Sequence, residues 1–145
     1  RFCDFTAGEV LRPKDGIVVR TTPLNHTNGA TGYRIEYDDR SICYITDTEH
    51  FPDRLNQDIL DLIKETDIFI YDCTYTDDEY PDHVDWGHST WQEGVKLAAE
   101  ADAKTFVVFH HNPDHNDDAM DSIAASVMAA RPGSVVAREG MILCP

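Results

Sequence analysis

Residues 67–110, DIFIYDCTYTDDEYPDHVDWGHSTWQEGVKLAAEADAKTFVVFH, decide the fold. They open on a short apolar run, Asp67–Tyr71, and close on another, Thr105–Phe109. Both lack the apolar–polar alternation of a half-exposed strand, so both read as buried strands. Between them a helix begins near Ser89. Ser89 with Gln92, or Thr90 with Glu93, has the spacing of a capping box, and Val95, Ala98 and Ala99 continue the helix. The stretch 72–88 is long, acidic and irregular, and loops of that length inside a compact domain are often functional. Strand, loop, helix and strand in this order define an α/β layered unit.

The pattern extends in both directions. Ile17–Thr22 is β-branched and extended, and residues 25–32 carry turn chemistry. Tyr33–Tyr37 and Ser41–Thr46, joined by Asp38-Asp39-Arg40, read as a β-hairpin. A helix is expected after Pro52, with Asp53 as its cap and Leu55, Ile59, Leu62 and Ile63 on one face. Downstream, Asp117 or Asp118 begins a third helix, which Arg131-Pro132-Gly133 stops. Val135–Ala137 and Met141–Leu143 are read as two last strands.

The 145 residues suit one domain, and 41% apolar content is enough for a core. Twelve bases against 27 acids give a net charge of −15. Arg12, Lys14, Arg20, Arg34, Arg40 and Arg54 are scattered among acids. That distribution disfavours a broad nucleic-acid face or an anionic membrane surface, and leaves room for a small anionic substrate held by metal ions. No apolar run reaches the length of a membrane span. Cys3, Cys43, Cys73 and Cys144 form no C-x-x-C pair. Cys43 and Cys73 sit in apolar runs and read as buried, reduced thiols of a cytoplasmic protein.

The histidines are more informative than the acids. All seven lie at or after residue 26. His26, Asp47, Asp72 and His110 each follow a strand, and in layered α/β proteins sites are built at such ends. Each has an ordinary reading too. His26 alone suits a surface loop, Asp47 suits a turn cap, and His115, Asp114, Asp117 and Asp118 suit a solvated edge. Of His110 and His111 only one should reach a given site, because neighbouring strand residues face opposite sides. His88 either merely precedes the helix cap or acts as an acid or base at its positive end, with Asp72 orienting the ring.

Taken in order, Pro23-Leu24-Asn25-His26, Gly32-Tyr33-Arg34-Ile35-Glu36, Tyr44-Ile45-Thr46-Asp47-Thr48-Glu49, Tyr71-Asp72-Cys73-Thr74-Tyr75, Gly87-His88-Ser89-Thr90 and Phe109-His110-His111 resemble the C-terminal half of a metallo-β-lactamase-fold hydrolase. The chain is most similar to the phosphodiesterase branch that contains ribonuclease Z and the phosphoribosyl cyclic phosphodiesterases. The resemblance implies an αββα sandwich, of which residues 1–145 are the C-terminal part of a single domain. It makes His26, Asp47 and His110 metal ligands, with Asp47 bridging two ions. It makes His88 the histidine that assists cleavage and Asp72 its carboxylate partner, and leaves Glu49 and His50 as neighbours that support the site. Zinc suits such ligands, with manganese or iron as alternatives.

The family's His-x-His-x-Asp-His signature is absent, since no histidine precedes His26. The resemblance therefore implies that an N-terminal half in the same or another chain completes the site. A homodimer is compatible with the sequence. The implied activity is hydrolysis of a small or cyclic phosphodiester by a metal-activated water, with structured RNA disfavoured by the charge. The alternatives are a thioester or lactone hydrolase of the same fold, and a metal-free interaction or scaffold domain.

Overall fold

The structure, a computed structural model, describes residues 3–145. Seven strands form one mixed sheet in sequential order: β1 Val10–Lys14, β2 Ile17–Leu24, β3 Ala30–Tyr37, β4 Arg40–Ile45, β5 Ile68–Asp72, β6 Thr105–Phe109 and β7 Val135–Val136. The first four strands are antiparallel neighbours, and β4 to β7 run parallel. Strands β2, β4, β5 and β6 therefore point the same way, and their C-terminal ends share one edge. That edge carries His26, Asp47, Asp72 and His110.

The β3–β4 turn has Asp38 and Asp39 at φ 50° and 58°. Two successive left-handed residues make a turn whose twist matches a hairpin, and Asp tolerates that conformation. At the opposite end of β5, Asp67 fixes the β4–β5 register by accepting from Ser41 N at 2.8 Å, and it also accepts from Lys104 Nζ at 2.7 Å.

Helices α1 (Gln57–Ile63), α2 (Trp91–Glu100) and α3 (Asp117–Ala130) cover one face of the sheet. Ile59, Ile63, Leu97, Ala98 and Val127 pack there against Cys43, Ile45, Phe69, Tyr71, Phe106 and Val108. The other face exposes Ile35, Tyr44 and Phe109. Beside them Ile42, Ile70 and Val107, with Met141 and Leu143 across from them, line a shallow apolar hollow. One sheet and one helical layer are thus present, two of the four layers of an αββα sandwich.

Three details differ from the expectations. The first helix begins at Gln57, not after Pro52. Asn56, rather than Asp53, is its cap, accepting from the backbone N–H of Asp58 and Ile59. Leu55 still packs against the core from the preceding turn. Met141–Leu143 is not a strand but lies over the open sheet face. Strand β1 has no counterpart in the sequence reading, because it is largely exposed, contains Pro13 and carries an irregular register, all features of an edge. All four cysteines are free, and Cys43 and Cys73 are buried. Among the described residues no helix is long and apolar enough to cross a membrane.

Thr90 is the cap of α2, and its Oγ1 accepts from Glu93 N at 3.2 Å. Gly94 lets this helix sit directly on the sheet. A Cβ there would lie 2.5 Å from Phe106 Cζ and 2.9 Å from Tyr71 Cδ1, both on buried rings. In an open helix Gly→Ala adds about 0.5–1 kcal/mol of stability. Here overpacking reverses the sign, and Gly94→Ala is expected to lower unfolding stability by about 1–3 kcal/mol in urea titration.

Candidate metal and acid–base site

Asp72 is the centre of the site. Its side chain is 0% exposed, and it ends β5 beneath the converging loops. Oδ2 accepts from Asp47 N at 2.9 Å, Thr48 N at 3.2 Å and His88 Nδ1 at 2.9 Å. Oδ1 accepts from Thr74 Oγ1 at 2.8 Å and more weakly from Thr74 N and Ser89 N. A buried carboxylate is tolerated only when donors replace its lost water, and here three separate segments supply them.

The segments meet as a result. Asp47, His88 and His110 each place one ligand atom within 4.8 Å of the other two. His110 Nε2 lies 3.7 Å from Asp47 Oδ1, and the rings of His88 and His110 stack with centroids 5.0 Å apart. Asp47 and His110 both have φ 61°, a left-handed conformation that is sparsely populated but most accessible to Asn, Asp and His. Such backbone persists where surrounding bonds over-determine it. For Asp47 the bond to Asp72 does this. For His110 it is Thr74, whose hydroxyl lies 2.9 Å from His110 O and 3.0 Å from His110 Nδ1. With the His110 proton on Nδ1, that nitrogen donates to Thr74 and the Nε2 lone pair faces Asp47.

His88 is held through the same ring nitrogen, but by a carboxylate. An ionised carboxylate only accepts, so His88 Nδ1–H donates to Asp72 and Nε2 is the exchangeable position. This bond raises the His88 pKa above its ordinary 6.5, outweighing the opposing effect of burial.

His26 sits beside this group rather than within it. Its ring is edge-on to that of His88, with centroids 5.8 Å apart, and it is not among the three residues whose ligand atoms cluster. It is held by a close backbone approach. Gly87 has φ 88°, and a Cβ there would lie 2.6 Å from His26 Cδ2. His111 points elsewhere, with Nε2 bonded to Ala137 O, so the paired histidines do face different sides.

Thr74, which the sequence did not single out, and Glu49, expected only as a supporting neighbour, take their roles from contacts in three dimensions. Thr74 links Asp72 to His110, but its spacing to either is not a recognisable motif. Glu49, only 7% exposed, joins the β4 loop to the long acidic loop. Its carboxylate accepts from Tyr80 OH at 2.6 Å, Asp85 N at 2.8 Å and Gly87 N at 3.0 Å. Its own backbone N–H donates to Asn25 O at 2.8 Å. Burial and the bond to Glu49 push the Tyr80 phenol well above its ordinary range. His50 stacks on Tyr80, with centroids 4.2 Å apart, and shares Ser89 Oγ with Tyr71. Burial lowers the His50 pKa.

Comparison with known proteins agrees with this architecture. The beta-lactamase superfamily domain matches residues 3–111, and the chain belongs to that family. Its sequence is 27% identical over 111 residues to a ribonuclease Z of Saccharolobus solfataricus, covering 76% of this chain and 30% of that protein. Two solved structures share the fold. The metallo-beta-lactamase fold protein YhfI of Bacillus subtilis superposes with a TM-score of 0.77 at 17% identity, covering 96% of this chain and 54% of that one. The short form of human tRNase Z superposes at 0.68 and 20% identity, covering 93% and 46%. The chain thus spans about half the length of these structures and under a third of that ribonuclease Z.

The sign of the His88 shift makes a prediction. A raised folded-state pKa contributes stability that is complete below the unfolded value near 6.5 and is lost as pH rises through the folded value. In the metal-free protein, Asp72→Asn is expected to lower the His88 pKa, read by NMR titration of its imidazole, and to flatten this part of the pH–stability curve.

Proposed function

We propose that the intact protein is a metal-dependent phosphodiesterase acting on a small or cyclic phosphodiester. The observation that carries this reading is the Asp72–His88 pair beside Asp47 and His110. The two groups have complementary chemistry: an imidazole held as a proton donor, and an imidazole whose free lone pair faces a carboxylate. The latter donor set fits a divalent ion, with zinc foremost and manganese or iron as alternatives. Asp47 and His110 would hold it, with His26 contributing from the adjoining loop and residues outside this chain completing a two-ion site. Bound ions would supply an acidified water and neutralise charge at phosphorus.

The chain's own residues account for the rest. His88 gives the Nε2 proton to the departing oxygen. Asp72 keeps the other ring proton on Nδ1, fixes the ring plane and stabilises the cation before transfer. Thr74 holds His110 in the tautomer that leaves Nε2 free. Residues 65–95 contain no Lys or Arg, which favours a small substrate over structured RNA. Assaying the intact protein on cyclic phosphodiesters beside a precursor tRNA tests this preference. Turnover of the cyclic compounds is expected, and efficient cleavage of the tRNA alone would overturn it.

The clustering of His88 with Asp47 and His110 favours a second reading, in which His88 is itself a ligand. One substitution separates the two. As an acid, His88→Ala is expected to retain the metal content of the purified intact protein while losing about 10²–10⁴-fold in kcat. Loss of metal together with rate would make His88 a ligand.

A further inference from the structure

A second concavity of about 370 Å³ adjoins the site and shares His26 as a wall. Its volume lies within the range of small-ligand pockets. Phe51, Pro52, Tyr80 and Val84 give it an apolar lining, to which Asn25 and Thr27 add polar groups; the Asn25 amide nitrogen donates to Glu49 O. Val84, 51% exposed, presents its methyl groups to this hollow. The tilted His50–Tyr80 stack supplies flat aromatic surface.

Charge narrows the occupant. Among the described residues the only charged side chains lining this hollow belong to Glu49 and Asp85, and there is no Lys or Arg. Arg54, two residues beyond Pro52 in sequence, is engaged over the Phe51 ring at 4.6 Å. A second phosphate would be repelled there. The Glu49 carboxylate already accepts three hydrogen bonds, so its oxygens are committed within the fold. These bonds also hold Tyr80, Asp85 and Gly87 in place, which makes the hollow preformed rather than induced.

We propose that this hollow binds the neutral nucleobase of a phosphodiester whose phosphate lies at the Asp47–His88–His110 cluster. The base stacks on the aromatic and apolar lining, and its polar edge meets Asn25 and Thr27. The reaction in this picture rests on the phosphodiesterase reading given above, whereas binding of the base does not.

Two measurements on the intact protein test it separately. In the metal-free protein, adenosine is expected to shift the NMR resonances of Thr27, Phe51 and the Val84 methyls, and not those of the opposite sheet end. In the metal-loaded protein, a nucleoside 2′,3′-cyclic phosphate is expected to show a KM about tenfold below that of ribose 2′,3′-cyclic phosphate, which lacks the base. Val84→Trp, which fills the hollow from an exposed position, is expected to erase that difference in KM. Absence of the adenosine shifts, an equal response to phenol, or a KM difference that survives Val84→Trp would each overturn the proposal. Adenosine shifts without hydrolysis of either ester would remove the phosphodiesterase reading and leave the base site standing.

Discussion

The Asp72 carboxylate sets the geometry on which the site depends. It is fully buried and ends a central parallel strand, where it takes donors from the Asp47 turn, the Thr74 turn and His88. Leaving any of these donors unmade would strand a charged group without water, a cost of several kcal/mol in order of magnitude. The arrangement is therefore close to all-or-none. Once the loops close on Asp72, Asp47 and His110 are held in left-handed backbone conformations that neither would adopt freely. A single buried charge thus couples the folding of three loops to the placement of Asp47, His88 and His110.

The sheet makes this coupling possible. Four co-directional strand ends bring chemistry to one edge, and α2 brings His88 there by beginning at the same place. Thr90 caps the helix, and a bridge between Tyr75 and Thr90 ties this cap residue to the segment leaving β5. Glu49 plays a corresponding part for the outer loop. It fixes the backbone at Gly87 against the His26 ring, so His26 and His88 are positioned by one buried anion each.

Much of this was legible in the sequence, for identifiable reasons. Buried strands such as Thr105–Phe109 declare themselves by continuous apolar character, and their ends mark where functional residues emerge. That logic placed His26, Asp47, Asp72 and His110 at one edge, while the contact of Asp72 with His88 was one of two readings the sequence left open. It failed where the controlling contact is remote or the element is exposed. Strand β1 has no core-facing pattern to read. Asn56 displaces Asp53 as a cap because the chain at Phe51–Arg54 turns first. Thr74 and Glu49 carry roles set by partners 36 and up to 38 residues away, which no local spacing encodes. The grouping of His88 with Asp47 and His110, and the displacement of His26 to its side, likewise exist only after the loops converge.

The most direct test of the central role of Asp72 is a crystal structure of the intact protein carrying Asp72→Asn. The substitution preserves size but replaces one accepting oxygen with a donor. The expected result is an unchanged sheet in which the Asp47 turn or the His88 ring has moved, so that the ligand atoms of Asp47, His88 and His110 no longer lie within 4.8 Å of one another. An unaltered cluster in that variant would contradict the claim that this one buried carboxylate assembles the site.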